Sequence, residues 1–245
     1  MHPYLAEFLG TMLLLLMGVG VVANVSFKES FAYGGGWVII SFGWGLGVFI
    51  GVVVAGPYSG AHINPAVTLG LALVGKFAWT EVPPYILAQL GGAATGAWLA
   101  WFHFSDMYNR CEDADTIRAT FCTGPAIKNL PKNLTSEIIG TFVLMLVVLF
   151  IAGASFSTEA LPDAKIGLGS LGALPVALLV VGIGMSLGGT TGYAINPARD
   201  LAPRLVHALV PITHKGTSNW WYAWVPVAGP LLGSALAAGV YLLVS

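Results

Sequence analysis

Two copies of the tripeptide Asn-Pro-Ala are the residues of this sequence best suited to specific polar chemistry. They occur in GAHINPAVTLG, residues 60–70, and about 130 residues later in GYAINPARDLA, residues 192–202. Asparagine is a strong N-cap residue, and proline suits the first helical position because its φ is fixed and its missing N–H would have no partner there. Each tripeptide therefore predicts a helix start. The six residues are Asn64, Pro65, Ala66, Asn196, Pro197 and Ala198.

The apolar stretch after each tripeptide is too short to cross a membrane alone. The two stretches run over 65–74 and 197–210, and at 1.5 Å per residue each covers about 15–21 Å of a hydrocarbon core about 30 Å thick. Glycine-rich polar backbone precedes both, and such backbone is tolerated at membrane depth only where protein buries it or a water-filled cavity adjoins it. We therefore predict two half-helices whose N-termini meet in a midplane cavity and repel cations.

The composition indicates a membrane protein. Of the 245 residues, 56% are hydrophobic and only 9% are charged, and the mean hydropathy is +0.81. The net charge of -1, without a basic stripe, argues against a nucleic-acid partner. The first apolar run lacks the flanks of a signal peptide, so we expect it to be retained. Six segments are long enough to span a bilayer: 5–23, 37–55, 83–103, 135–153, 172–189 and 220–243.

The two halves of the chain also resemble each other outside the tripeptides. EFLGT at 7–11 matches EIIGT at 137–141, and the third span of each half carries a pair of glycines four residues apart. Because each copy has three spans, the second begins on the opposite face of the membrane, which gives an inverted repeat. We predict an all-α membrane protein with six transmembrane helices and two re-entrant half-helices. It forms one domain, 1–245, in which repeats 1–104 and 131–245 are joined by loop 105–130.

The repeated Asn-Pro-Ala boxes, the opening AEFLGT and the stretch SGAHINPAVT resemble the major intrinsic protein family, the aquaporins and glycerol facilitators. The resemblance covers essentially the whole chain. It implies a right-handed helical bundle, a homotetramer with one pore per subunit, and a bacterial cytoplasmic membrane with both termini in the cytoplasm. The distribution of basic residues favours the opposite orientation, because the connection 104–134 holds four of them and basic loops stay in the cytoplasm.

The resemblance implies a selectivity filter formed by Trp44, Gly184, Tyr193 and Arg199. This set is similar to that of glycerol facilitators, since water-selective members usually carry histidine in place of Gly184. A polyol has an edge of hydroxyls and an edge of C–H groups. Trp44 and Tyr193 would face the C–H edge, Arg199 would donate hydrogen bonds, and Gly184 would leave room for carbon. Glycerol facilitators typically have phenylalanine in place of Tyr193, and we hypothesise that its phenol trades polyol size range for affinity.

This pattern favours a passive channel for glycerol and other small uncharged solutes that also passes water and excludes ions and protons. Urea, dihydroxyacetone and protonated short acids are further candidate solutes. Two alternatives remain: a water-selective aquaporin, and a secondary transporter, because inverted repeats with broken helices also occur in transporters. The sequence has no metal-ligand spacing and no catalytic motif, so we expect no enzyme activity, metal or cofactor.

Four further residues are expected to support the pore: Glu7, Glu137, His62 and Asp200. The two glutamates are matched in the repeat and suit the acceptance of hydrogen bonds from irregular backbone, with a proton relay as the alternative. His62 either lines the pore mouth or bonds within its loop. Asp200 is the alternative partner for Arg199, although neighbours in a helix do not face each other. The cysteines, Cys111 and Cys122, fit a disulfide or two free thiols equally well.

Overall fold

A computed structural model of the protein describes residues 1–153, 155–158, 161–165 and 167–245. These residues form ten α-helices and one β-hairpin. The helices are α1 (Pro3–Ser26), α2 (Gly36–Ser59), α3 (Pro65–Leu73), α4 (Val82–His103), α5 (Ser105–Arg110), α6 (Ala114–Phe121), α7 (Leu130–Phe150), α8 (Leu174–Leu187), α9 (Pro197–Leu209) and α10 (Val225–Val244). The strands, β1 (Ser155–Thr158) and β2 (Leu161–Lys165), pair antiparallel between α7 and α8.

The six long helices α1, α2, α4, α7, α8 and α10 lie where the sequence predicts spans. By length and composition five of them can cross a membrane, α8 together with the 3-10 turn Gly169–Ala173 that precedes it. Helix α4 is less apolar because it contains Gln89, His103 and two prolines, but it has 22 residues and contains no Asp, Glu, Lys or Arg. The hairpin was not predicted, since strands of four and five residues are too short for a clear alternating pattern.

Two span boundaries differ from the prediction by five residues. Helix α7 begins at Leu130 because Asn129 caps it, accepting a hydrogen bond from the Lys132 N–H at 3.3 Å. Helix α10 begins only at Val225 because the aromatic residues before it form turns. Both differences arise at helix ends, where local capping decides the boundary and hydropathy does not.

Glycines bring the long helices into close contact in matching pairs. Helix α1 packs against α2 and α4, and α7 packs against α8 and α10. A Cβ atom on Gly92 of α4 would lie 2.1 Å from the Phe8 carbonyl oxygen, and one on Gly229 of α10 would lie 2.5 Å from the Glu137 Cβ. The glycine pairs that the sequence repeats therefore permit the same backbone approach in both halves, as small residues do between helices in lipid.

Each half-helix packs against the last long helix of the opposite half. Helix α3 contacts α10, and α9 contacts α4. The Ser234 hydroxyl of α10 donates to the Ala66 carbonyl of α3 at 2.6 Å. The two halves are thus interlocked through α3 and α9, which places the N-termini of both half-helices in the centre of the bundle.

The two cysteines are free thiols, so the disulfide alternative is not the one observed. Burial raises the pKa of the Cys122 thiol to about 12, and the nearby Asp200 carboxylate adds to the effect. Because only the thiolate reacts rapidly with alkylating reagents, Cys122 is expected to stay protonated and unlabelled by iodoacetamide at pH 7.5, whereas half-buried Cys111 is labelled. Mass spectrometry of the peptides measures both. A Cys111→Ser variant that takes up label as fast as the unmodified protein would contradict this expectation.

Candidate functional site

Both Asn-Pro-Ala tripeptides start a helix, and the asparagine caps it. The Asn64 Oδ1 atom accepts a hydrogen bond from the Ala66 N–H at 2.9 Å. The Asn196 Oδ1 atom accepts from the N–H groups of Ala198 at 3.0 Å and Arg199 at 3.3 Å. These caps satisfy N–H groups that would have no partner within the helix.

The two half-helices meet N-terminus to N-terminus through a reciprocal pair of hydrogen bonds. The Asn64 side-chain amide donates to the Ile195 carbonyl at 2.8 Å, and the Asn196 amide donates to the Ile63 carbonyl at 2.9 Å. An asparagine amide carries two N–H donors, so each side chain keeps a second N–H. Both asparagines line the same cavity, into which the positive ends of both helix dipoles point.

The backbone before each half-helix is strained in the same way. Positive φ angles occur at Gly60 (80°), Ala61 (50°), Ile63 (43°), Gly192 (80°), Tyr193 (38°) and Ile195 (43°). A left-handed conformation at a residue with a side chain is costly and persists only where the surroundings fix it. The matching pattern in the two halves therefore requires a matching set of anchors.

Glu7 and Glu137 are those anchors. Buried Glu7 accepts hydrogen bonds from the backbone N–H groups of His62 at 2.8 Å and Ile63 at 2.7 Å. Buried Glu137 accepts from the N–H groups of Ala194 and Ile195, both at 2.9 Å. This is the arrangement expected for a carboxylate that supports irregular backbone.

Gln89 adds a contact to the first half that the sequence analysis missed. Its amide donates to the Glu7 carboxylate at 2.8 Å and to the Thr68 hydroxyl at 2.9 Å. The signal for it was a buried polar amide in the middle of the apolar span 83–103, because a polar group at that depth needs partners. The described partners of Glu137 include no such side-chain amide.

His62 satisfies both of the roles considered for it. Its ring lines the cavity that contains the asparagines. Its Nδ1 atom lies 3.1 Å from the Thr68 hydroxyl, and its ring packs edge-on against Phe77 with centroids 4.6 Å apart. The histidine is therefore a fixed part of the cavity wall and leaves Nε2 as the ring nitrogen without this bond.

Two cavities share three of the four predicted filter residues in their walls. The central cavity, about 250 Å³, is lined by Asn64 and Asn196, and the vestibule, about 420 Å³, is lined in part by the segment 115–126. Trp44, Tyr193 and Arg199 line both cavities. A solute that moves from one cavity to the other at this point would pass these three side chains.

Arg199 combines burial with unused donors. It is 7% exposed, its guanidinium carbon lies 3.9 Å from the centroid of the Trp44 ring, and one nitrogen donates to the Phe121 carbonyl at 3.2 Å. Guanidinium carries five N–H donors. Among the described residues, the Phe121 carbonyl is the one hydrogen-bond partner of the Arg199 side chain. Its pairing with Asp200, the alternative considered from sequence, is not observed.

Asp200 instead pairs with Arg204, a residue that the sequence analysis overlooked. Both side chains are fully buried, with Arg204 Nε and Asp200 Oδ1 2.8 Å apart. Asp200 also accepts from the Thr123 N–H and hydroxyl at 2.7 Å, and Arg204 donates to the Thr123 and Ser218 carbonyls at 2.8 and 2.7 Å. The pair thus ties the vestibule wall to α9. The signal was available, because residues four apart on a helix face each other.

Gly184 and Tyr193 of the predicted filter lie against each other in the structure. Gly184 is not among the residues that line the cavities, because the Tyr193 ring occupies the space that the glycine leaves. A Cβ on Gly184 would lie 2.8 Å from Tyr193 Cζ. The Tyr193 phenol oxygen is buried, and the hypothesis that the phenol trades polyol size range for affinity stays a prediction. The ring of Tyr193, and not its hydroxyl, faces the cavities.

Alanine at position 184 is therefore expected to displace the Tyr193 ring toward the passage, since a Cβ contact of 2.8 Å forces a shift. Glycerol permeability should fall at least about threefold relative to water permeability, because a larger solute is affected more by a narrower opening. Stopped-flow light scattering on vesicles measures both. Gly182→Ala on the same helix, where an added Cβ meets nothing within 4 Å, is the control. Equal ratios of glycerol to water permeability in Gly184→Ala and Gly182→Ala would refute the expectation.

Comparison with known proteins agrees with this architecture. The family model "Major intrinsic protein" matches residues 1–241. A glycerol uptake facilitator protein of Streptococcus pneumoniae is 50% identical over 243 residues, covering 99% of each chain. A probable glycerol uptake facilitator protein of Thermotoga maritima is 51% identical over 241 residues, covering 98% of each. The X-ray structure of the aquaglyceroporin from Plasmodium falciparum superposes with a TM-score of 0.82 at 32% identity, covering 98% of this chain and 95% of that one.

These similarities confirm the predicted fold class. The chain is an all-helical, multi-pass membrane protein apart from its short hairpin, with six transmembrane helices, two re-entrant half-helices and an inverted repeat. The family model matches nearly the whole chain, and relatives at about 50% identity are matched over nearly their full length. The chain belongs to the major intrinsic protein family.

Proposed function

We propose that the protein is a passive channel through which glycerol, other small uncharged solutes and water diffuse across the membrane, while ions and protons are excluded. The observation that carries the proposal is that the two cavities adjoin at Trp44, Tyr193 and Arg199. The names of relatives that are about 50% identical, glycerol uptake facilitator proteins, support glycerol as the solute.

The chemistry of these residues matches the two edges of a polyol. The Trp44 ring and the Tyr193 ring offer apolar surface to the C–H edge, and Arg199 and the two asparagines offer N–H donors to the hydroxyl edge. In this proposal the filter is formed by Trp44, Tyr193 and Arg199, with Gly184 acting through the Tyr193 ring. Both Asn-Pro-Ala boxes form the pore centre, and Glu7, Glu137, His62 and Asp200 support it.

The charge distribution along the path favours exclusion of cations. Arg199 places a full positive charge where the two cavities meet, and the N-termini of α3 and α9 add about half a positive charge each at the pore centre. A cation would also lose hydration in a passage with apolar walls, which costs free energy that an uncharged solute does not lose. Uncharged solutes that can accept hydrogen bonds are therefore preferred.

Assembly and orientation are proposed from the family. We place the protein as a homotetramer with one pore per subunit in the cytoplasmic membrane, with both termini in the cytoplasm and with repeats 1–104 and 131–245 forming each pore together. Urea, dihydroxyacetone and protonated short acids are further candidate solutes. The function proposed is transport without catalysis, which agrees with the family and with the facilitator names of the relatives.

A vesicle experiment tests this proposal. The purified protein is reconstituted in liposomes, and the vesicles are mixed with hyperosmotic glycerol. A glycerol channel gives rapid shrinkage as water leaves and rapid reswelling as glycerol enters, with a flux that rises nearly linearly with the gradient. Shrinkage that is faster than in protein-free vesicles, followed by reswelling that is no faster than in them, would identify a water-selective pore. Flux that saturates and requires an ion gradient would identify a secondary transporter.

A further inference from the structure

Two buried hydroxyl groups meet behind the aromatic wall of the passage. Ser41 of α2 is fully buried, the Tyr193 phenol oxygen is buried as well, and neither hydroxyl has a hydrogen-bond partner in the described part of the chain. A Cβ atom on Gly184 would lie 2.9 Å from the Tyr193 oxygen and 3.0 Å from the Ser41 Oγ atom. The two oxygens therefore adjoin the same point. Because buried hydroxyls nearly always have a partner, this pair requires an explanation.

The Tyr193 ring lies in a slot between α2 and α8. A Cβ on Gly188, the residue that follows α8, would lie 2.5 Å from Tyr193 Cδ1, so the slot requires glycine at this position. Trp37 of α2 packs edge-on against the ring with centroids 5.8 Å apart and donates to the Gly184 carbonyl at 2.7 Å. These contacts hold the sides of the ring. The hydroxyl end of the ring lies near Ser41.

The position of Ser41 links the two aromatic walls. Ser41 lies three residues before Trp44 on α2, and residues three apart lie on the same helix face. Helix α2 therefore carries one wall of the passage, Trp44, and also the side chain that meets the far end of the other wall, Tyr193. A change at the Ser41 contact moves the Tyr193 ring relative to Trp44, and with it the width of the opening.

We propose that Ser41 is a positioning residue for solute selectivity. Its hydroxyl and the Tyr193 phenol form a hydrogen-bonded pair, either directly or through one buried water, that holds the Tyr193 ring back from the passage. Without this partner the phenol would turn toward the water-filled cavities to find another. The inference rests on the proposed function, because the position of the ring controls selectivity only if solutes pass between Tyr193, Trp44 and Arg199.

Loss of the Ser41 hydroxyl alone should change selectivity more than loss of both hydroxyls. In Ser41→Ala the Tyr193 phenol loses its hydrogen-bond partner while it remains buried, which costs free energy. Removal of both hydroxyls leaves no buried polar group without a partner. In Tyr193→Phe the Ser41 hydroxyl can instead donate to the backbone carbonyl four residues earlier. Adding Tyr193→Phe to Ser41→Ala should therefore restore the ratio of glycerol to water permeability. A residue that only fills space would not give this result.

The test measures glycerol, erythritol and water permeability of vesicles by stopped-flow light scattering. Ser41→Ala is expected to lower the ratio of glycerol to water permeability by about threefold or more, and the erythritol ratio further. The double variant, Ser41→Ala with Tyr193→Phe, is expected to recover most of the ratio that Ser41→Ala loses, because it leaves no buried hydroxyl without a partner. Thr95→Val is the control, because among the described residues the Thr95 hydroxyl bonds to the Gly91 carbonyl within α4 alone, at 2.9 Å. The permeability ratio of this variant should not change.

The outcomes separate this inference from the proposed function. An unmodified channel without glycerol flux would overturn the proposed function. A conducting channel in which Ser41→Ala keeps the original ratio, or in which the double variant remains as low as Ser41→Ala, would overturn the role of Ser41. An experimental structure of the unmodified channel gives a readout without variants: the two hydroxyls should be joined directly or by one ordered water, and a Tyr193 hydroxyl turned into either cavity would overturn the inference.

Discussion

Valine in place of Arg199 is expected to make the channel leak protons or other cations while it still conducts glycerol. Among the described residues, Arg199 is the positively charged side chain that lines both cavities. A unit charge about 4 Å from a passing cation corresponds to about 4 kcal/mol of repulsion at an effective dielectric constant of about 20. Even partial loss of this barrier corresponds to roughly a tenfold or greater rise in cation flux, since 1.4 kcal/mol is about tenfold in rate.

Vesicles that contain a pH-sensitive dye measure this leak after an imposed proton gradient. Arg118→Val is the matched control, because Arg118 lines only the vestibule and pairs with exposed Asp115 at 2.8 Å. The control vesicles should remain tight to protons. Proton-tight vesicles with the Arg199→Val channel would show that the helix N-termini alone exclude cations and that Arg199 serves another purpose.

Methionine in place of Arg204 is expected to destabilise the folded protein by about 3–5 kcal/mol, which is typical when one partner of a buried ion pair is removed. The substitution leaves the fully buried Asp200 carboxylate without its cation, and it also removes the donors to the Thr123 and Ser218 carbonyls. Thermal unfolding of the purified protein in detergent should show a fall of several degrees or more in the midpoint.

Two further variants test the cause of that loss. Arg118→Met removes an arginine from a pair whose Asp115 side chain is 80% exposed. Pairs that are open to solvent contribute little to stability, so the unfolding midpoint of this variant should match the original. Asp200→Asn combined with Arg204→Met removes both charges and should recover part of the loss, because no unpaired charge remains. Unfolding of Arg204→Met at the original temperature would mean that the buried pair does not hold the vestibule wall to α9.

The half-helices were predictable because their signals are local. The sequence predicted half-helices over 65–74 and 197–210, and the structure has Pro65–Leu73 and Pro197–Leu209. An asparagine cap followed by proline acts within one turn, so three residues suffice to define the start. The repeated glutamates were also informative, since an acidic residue at the same place in two apolar spans needs the same kind of partner in both halves.

The inner face of the filter was not predictable, because it depends on residues far apart in sequence. Ser41, Gly184 and Tyr193 come from α2, α8 and the segment before α9, and only their packing decides that the Tyr193 ring takes the space beside Gly184. A sequence motif identifies which residue stands at a filter position, but it does not give the direction of the side chain. The Asp200 and Arg204 pair differs, because its spacing on α9 was visible in the sequence.

The most direct test of a passage between the half-helices is an experimental structure of the protein determined with glycerol. The reciprocal bonds of Asn64 and Asn196 leave one amide N–H on each for a solute. We expect glycerol density between the two asparagines, with a hydroxyl within hydrogen-bond distance of both amides, and further density beside Arg199. Protein atoms that close the path between Asn64 and Asn196, with glycerol confined to the vestibule, would contradict the proposed channel.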